Sequence, residues 1–198
     1  MVSRRLQFKM ALVALANLLT AVSGNAQAPT NYVAGSLVQL NDNGAWSWFM
    51  DERVIVDHGK LIVGSVRSLG DFDATQNQPD WGNVEIAVYD IEAGRADRLV
   101  LHRHFEQDDH DAPAFLVLPD GRYLAVYTKH AVERKIYYRF SAPGDPLTWS
   151  DAHVFETPGT DKKFAGDNVT YSNLFRLPDG HIYNFFRGFS HDPNYMFS

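Results

Sequence analysis

Residues 108–130 read DDHDAPAFLVLPDGRYLAVYTKH and residues 170–187 read TYSNLFRLPDGHIYNFFR. Their shared centre, Leu118-Pro119-Asp120-Gly121 in one and Leu177-Pro178-Asp179-Gly180 in the other, decides the fold. Proline presets the backbone angle of a turn, aspartate folds its side chain back onto the chain, and glycine takes the left-handed conformation that closes it. Apolar residues flank both turns, so each segment predicts a β-hairpin. In an antiparallel pair, residues equidistant from the turn lie opposite one another on the same face. His110 and His130 each lie ten residues from Asp120, and Tyr171 and Arg187 each lie eight from Asp179. Counting therefore pairs His110 with His130 and Tyr171 with Arg187.

Outward from these hairpins, short apolar runs alternate with turn residues, and helical periodicity is nearly absent after the first 28 residues. Val54 to Val56, Leu61 to Val63, Val84 to Val88 and Leu99 to Leu101 form one set. Ala114 to Leu118, Tyr123 to Tyr127, Ile136 to Phe140 and His153 to Glu156 form a second. The turn glycines Gly59, Gly121 and Gly180 recur at intervals of 62 and 59 residues. Four strands per repeat of this length predict an all-β chain, a β-propeller of four-stranded antiparallel blades. Tyr195-Met196-Phe197-Ser198 aligns with Tyr138-Arg139-Phe140-Ser141. The expectation is therefore two to three blades, the N-terminal part of a longer propeller whose remainder would be needed for closure and activity.

Residues 1–28 have the pattern of a secretory signal: basic Arg4, Arg5 and Lys9, an apolar run from Met10 to Val22, and Ala26-Gln27-Ala28 as a cleavage site. This predicts a secreted or periplasmic protein without membrane insertion, residues 29–198 being propeller. Absence of cysteine removes disulfides and thiol chemistry. The signal holds three basic and no acidic residues, leaving 15 basic against 24 acidic, a net charge of −9. Such a chain has no general affinity for nucleic acid, although an anionic ligand can still be met by basic groups gathered in a cleft.

In a propeller blade the turn between the first two strands lies at one end of the channel, and the start of strand one and end of strand two lie at the other. His110, His130, Tyr171 and Arg187 thus fall at one mouth, on neighbouring blades. Ser141 to Trp149 has the look of a degenerate Asp-box with a displaced glycine. Together with Gly44 to Asp51, Asp108 to Ala114, Lys129-His130, Val169 to Leu174 and Phe186-Arg187, it resembles the Asp-box (BNR) repeat propellers that include the seven-bladed ulvan lyases. The resemblance implies acid/base roles for His110 and Tyr171, with His130 and Arg187 completing the site.

The residue types suit that chemistry. Eliminating a 4-O-linked sugar from a uronate requires removal of the C5 proton, which is weakly acidic until the carboxylate is neutralised. Arg187 has the permanent charge and planar fork for this, and His130 can add a donor. Histidine titrates near neutrality, and a phenol can donate to a leaving oxygen or, with a lowered pKa beside Arg187, act as a base. The expected partner is an anionic, sulfated, ulvan-like polysaccharide. The alternatives are a non-catalytic carbohydrate-binding propeller and a sialidase-like glycoside hydrolase, the latter requiring carboxylates that the four residues do not supply.

No cofactor is needed for the elimination, and the ligand types leave open a structural calcium or zinc. Asp108, Asp109 and Asp111 are expected to shape the loop or orient His110 rather than bind metal. His102 and His104 are expected to be exposed on an outer strand. Trp48 precedes His58 by ten residues, the position equivalent to His110 on the first blade. Core packing is the expected role of Trp46, Trp48 and Phe49, with sugar stacking the alternative.

Overall fold

The computed structural model describes residues 37–48, 50, 53–67, 78–157 and 168–188, and the backbone of 192–197. The signal segment and Phe49 lie outside these residues. The chain divides into two units, Met1–Val38 and Gln39–Ser198. Of the first, only Leu37 and Val38 are described. Among its described residues the second is all-β apart from one short 3-10 turn at Asp109–Asp111. No helix among the described residues is long and apolar enough to cross a membrane.

Three antiparallel sheets follow one another along the chain. The first contains β1 (Gly44–Ala45), β2 (Val54–Asp57), β3 (Lys60–Arg67), β4 (Val84–Asp90) and β5 (Arg95–His102). The second contains β6 (Ala114–Val117), β7 (Tyr123–Tyr127), β8 (Lys135–Ala142), β9 (Asp145–Trp149) and β10 (His153–Glu156). The third contains β11 (Thr170–Arg176), β12 (Ile182–Gly188) and β13 (Asp192–Phe197). In each sheet consecutive strands are neighbours, with β1 added along β3 and β9 along β8. This meander is the architecture of propeller blades.

The two Pro-Asp-Gly turns are built alike. Gly121 N–H donates to the Leu118 carbonyl at 3.0 Å and Leu118 N–H to the Arg122 carbonyl at 2.8 Å; the equivalents at Gly180 and Leu177 are 2.9 and 3.0 Å. Asp120 Oδ1 accepts from Arg122 N–H at 3.1 Å, and Asp179 Oδ1 from His181 N–H at 3.0 Å. Gly121 and Gly180 have φ of +82° and +95°, the left-handed region that closes such a turn. These bonds fix register, and β6 pairs with β7 as counted from Asp120: Ala114 with Val126, Val117 with Tyr123.

Strand alternation then divides the core into two layers. Phe115, Tyr123, Ala125 and Tyr127 face the first blade and join Ile62, Val66, Val84 and Ile86. Ala114, Leu124 and Val126 face the third and join Val169, Leu174 and Phe186. The segment resembling an Asp-box turns at Pro143-Gly144. Its Trp149 indole donates to the Pro146 carbonyl at 2.7 Å, and its ring centroid lies 6.4 Å from that of Phe115.

His102 departs from the sequence expectation. It is half-buried beside Phe105 and Tyr127, with ring centroids at 4.6 and 5.7 Å, and its Nδ1 lies 3.1 Å from the Tyr127 hydroxyl. The outer strand β5 is covered by the 103–107 turn and the second blade, so it presents no open face at this point. His104 is exposed, in the turn after β5.

The closest approach of the first two blades passes over Gly64. A Cβ there would meet Pro113 Cγ at 2.7 Å, Phe115 Cε2 at 2.9 Å and the Pro113 carbonyl at 2.9 Å. Gly64→Ala is therefore expected to destabilise the fold by about 1–3 kcal/mol, read as a lowered melting temperature, because backbone cannot yield as a flexible side chain can. An unchanged melt would mean that the blades do not pack as described.

Candidate functional site

The 3-10 turn ahead of β6 is organised by Asp108. As the turn's N-cap, this residue accepts from the His110 N–H at 3.0 Å. The same oxygen lies 2.5 Å from His110 Nδ1, while Oδ2 lies 2.8 Å from His130 Nδ1. One carboxylate thus holds both imidazoles, whose rings stack with centroids 3.8 Å apart and planes 14° from parallel. Asp109 Oδ1 reaches His110 Nδ1 at 2.7 Å, and Glu106 Oε2 accepts from the His130 N–H at 2.7 Å. His110 and His130 lie outside the β6–β7 ladder, His110 in the 3-10 turn, and their rings meet as counting from Asp120 expects.

The second pair meets differently. In β11–β12, Asn173 pairs with Phe185 and Leu174 with Asn184, but Thr170, not Tyr171, pairs with Arg187. A bulge between Thr170 and Asn173 shifts the register, and Tyr171 takes φ of +61° within it. The expected cross-strand pairing of Tyr171 with Arg187 is thereby corrected. The side chains still converge: the Arg187 guanidinium carbon lies 5.1 Å from the Tyr171 ring centroid. That ring lies 4.9 Å from His110. A strained, β-unfavourable backbone at a buried tyrosine persists only if its surroundings hold it. Arg53, just before β2, contributes by donating to the adjacent Ser172 carbonyl at 2.6 Å.

All four residues singled out from the sequence line one open cavity of about 570 Å³, with Asp109, Trp46, Ser47 and Trp48 as the other walls. The tryptophans correct a second expectation. Trp46 is 61 % and Trp48 84 % exposed, so neither packs in a blade, whereas Ser47 between them is buried. Their loop leaves the edge of β3 between Ala45, which pairs with Val66, and Arg53, whose carbonyl accepts from Gly64 N–H. Trp46 and Trp48 lie in the chain between these two contacts, outside the β3 ladder, with their indoles at the cavity wall.

Electrostatics keep Asp108 ionised. Burial raises its carboxyl pKa, but the His110 N–H and the rings of His130 and His110 outweigh that and hold it below the ordinary value. An ionised Asp108 accepts protons from both Nδ1 atoms, so a neutral imidazole in this site carries its proton on Nδ1 and offers an unprotonated Nε2. Among the described residues, Asp108, His110 and His130 form a group whose ligand atoms lie within 4.8 Å of one another and could hold a metal ion. In the present geometry both Nδ1 atoms face Asp108.

Asp111, in the same turn, is fully buried, and neither carboxylate oxygen has a hydrogen-bond partner. Burial, followed by the charges of Glu106 and Asp108, pushes its pKa well above the carboxylate range. The native state therefore holds this proton more tightly than the unfolded chain, and stability falls as pH rises from about 4 through the raised pKa. Asp111→Asn is expected to increase stability by about 1–3 kcal/mol at alkaline pH and to have little effect near pH 4. Chemical denaturation at both pH values checks this; an equal effect at both would contradict it.

Comparison with known proteins agrees with this architecture. The chain matches ulvan lyase of polysaccharide lyase family 25 with a TM-score of 0.54 at 16 % identity, over 80 % of this chain and 38 % of that one, in a structure bound to -[GlcA(1-4)Rha3S]-. A second structure of a family 25 ulvan lyase gives 0.53 and 17 % over the same shares. The polysaccharide lyase Uly1 gives 0.48 and 17 % over 87 % of this chain and 42 % of that one. At these identities the likeness is one of fold, and the chain spans less than half the length of these lyases. No curated protein matches the chain. The profile of the BNR repeat-containing family matches residues 77–197, more than half of the sequence, and the chain belongs to that family.

Proposed function

We propose that this chain carries the acid/base site of an exported polysaccharide lyase that cleaves a uronate-containing, ulvan-like polymer by β-elimination, within a closed propeller. The observation that carries the reading is the convergence of a paired histidine, a second histidine, a tyrosine and an arginine on one open cavity. The ulvan lyases with which it shares a fold act on such polymers, and one is bound to a glucuronate-containing saccharide.

The cavity suits the steps in turn. Arg187 and His130, which line the same cavity, take the substrate carboxylate and offset the charge that develops as C5 loses its proton. Nε2 of His110, unprotonated in the tautomer set by Asp108, accepts that proton. The C5 electron pair forms the C4–C5 double bond, the C4–O bond breaks, and the leaving oxygen takes a proton from the Tyr171 hydroxyl. The 4.9 Å between the His110 and Tyr171 rings lets both reach one sugar residue. No carboxylate pair is asked to flank the scissile bond, as a glycoside hydrolase requires.

The test is incubation of the full-length protein, with its propeller complete, with ulvan while ultraviolet absorbance follows unsaturated uronyl ends. The reading expects absorbance to rise with chain cleavage. Cleavage without it would indicate a hydrolase, and binding without cleavage a carbohydrate-binding propeller.

A further inference from the structure

We propose that Trp46 and Trp48 form a stacking platform for the sugar ring next to the uronate, a subsite that extends the cavity along the polysaccharide. The proposal rests on the lyase reading for its substrate class. Two large indoles on one short loop, 61 % and 84 % exposed, are costly to leave in water unless something covers them. They flank the buried Ser47, and both turn to solvent. They wall the same cavity as His110, Tyr171 and Arg187, so an occupant of the acid/base site lies against them.

The loop is anchored on both sides. Ahead of it, Asp42 pairs bidentately with Arg67 at 2.9 and 3.0 Å, and Asn41 donates to Glu85 at 2.9 Å. Behind it, Met50 is buried and Arg53 is tied to Ser172 on the third blade. A platform held in place before binding loses little freedom when a ligand arrives.

Charge indicates which ring it takes. The basic groups lining the cavity, Arg187, His110 and His130, belong to the acid/base end, and Asp109 is the acidic one. An indole face is itself the negative side of a quadrupole and welcomes the C–H face of a pyranose rather than a carboxylate. The platform therefore fits a ring that presents C–H groups, and a polymer in which uronate alternates with such a sugar fits better than a polyuronate.

Trp48→Ala and Trp46→Ala are expected to raise KM for ulvan oligosaccharides by about tenfold each, with kcat/KM falling through KM, and Trp48→Phe to recover most of the loss. Titrating wild-type protein with the same oligosaccharides should shift its tryptophan fluorescence, and the shift should disappear in the Trp46→Ala, Trp48→Ala double variant. Circular dichroism establishes that the variants are folded. Unchanged KM in folded variants, or a fluorescence shift that survives in the double variant, would overturn the platform. If unsaturated ends form and KM is unchanged, the platform fails while the lyase reading stands. If no unsaturated ends form but the saccharide still shifts these indoles, the platform stands and the lyase reading fails.

Discussion

His110→Ala and Tyr171→Phe are each expected to lower the rate of formation of unsaturated ends by about 10²–10⁴-fold, the usual contribution of a positioned acid or base. Tyr171→Phe is the more informative. It removes one hydroxyl and keeps the ring that lies 4.9 Å from His110 and under the Arg187 guanidinium. The bulge, the packing and the cavity walls are expected to survive, so the melting temperature should stay near wild type while turnover collapses. His110→Ala removes the ring stacked on His130 at 3.8 Å, and some loss of stability is expected with the loss of rate. Folded variants with near wild-type turnover would remove both residues from the chemistry.

Asp108→Asn should have an effect of similar size without touching the substrate. The carboxylate accepts from both imidazoles, whereas an amide has one acceptor and one donor end, so one ring loses its acceptor at position 108, and His110 then keeps Asp109 alone. A rate loss of about 10²–10⁴-fold is expected, as for other carboxylates that hold a catalytic histidine. The Asp108 carboxyl pKa is held below its ordinary value in the folded chain, so its contribution is complete above about pH 4 and is lost as pH falls through the depressed pKa. The wild type and Asp108→Asn should therefore differ in stability at neutral pH and converge in acid. Near wild-type turnover in a folded Asp108→Asn variant would remove Asp108 from the positioning of the imidazoles.

What was legible in the sequence was what short-range chemistry controls. Leu-Pro-Asp-Gly sets turn and register together, which is why counting from Asp120 brought His110 to His130 across a span where the strands have ended. The same counting misplaced Tyr171, because an extra residue in β11 costs no hydrophobic pattern: Thr170, Tyr171 and Ser172 are all buried, and alternation is lost just where the bulge occurs. The two residues meet nonetheless, since a long arginine side chain spans the shift. Trp46 and Trp48 misled through composition. An aromatic-rich run reads as core, whereas the pairing of Ala45 with Val66 and of Arg53 with Gly64 shows that Trp46 and Trp48 lie outside the β3 ladder. His102 misled in the opposite direction, since outer-strand position suggests solvent and cannot report that Phe105 and Tyr137 close over it. The sequence presents Asp108 as a loop-shaping acid that can orient His110, but its grip on His130 spans 22 residues and follows from the hairpin's closure.

The central claim is that the four convergent side chains perform an elimination, and mass analysis of ulvan fragments released in heavy-oxygen water tests it most directly. The account predicts new non-reducing ends that carry a C4–C5 double bond and fragments that take up no solvent oxygen at the cleaved linkage, with formation abolished by Tyr171→Phe. Saturated ends with solvent oxygen incorporated at the cleaved linkage would contradict it.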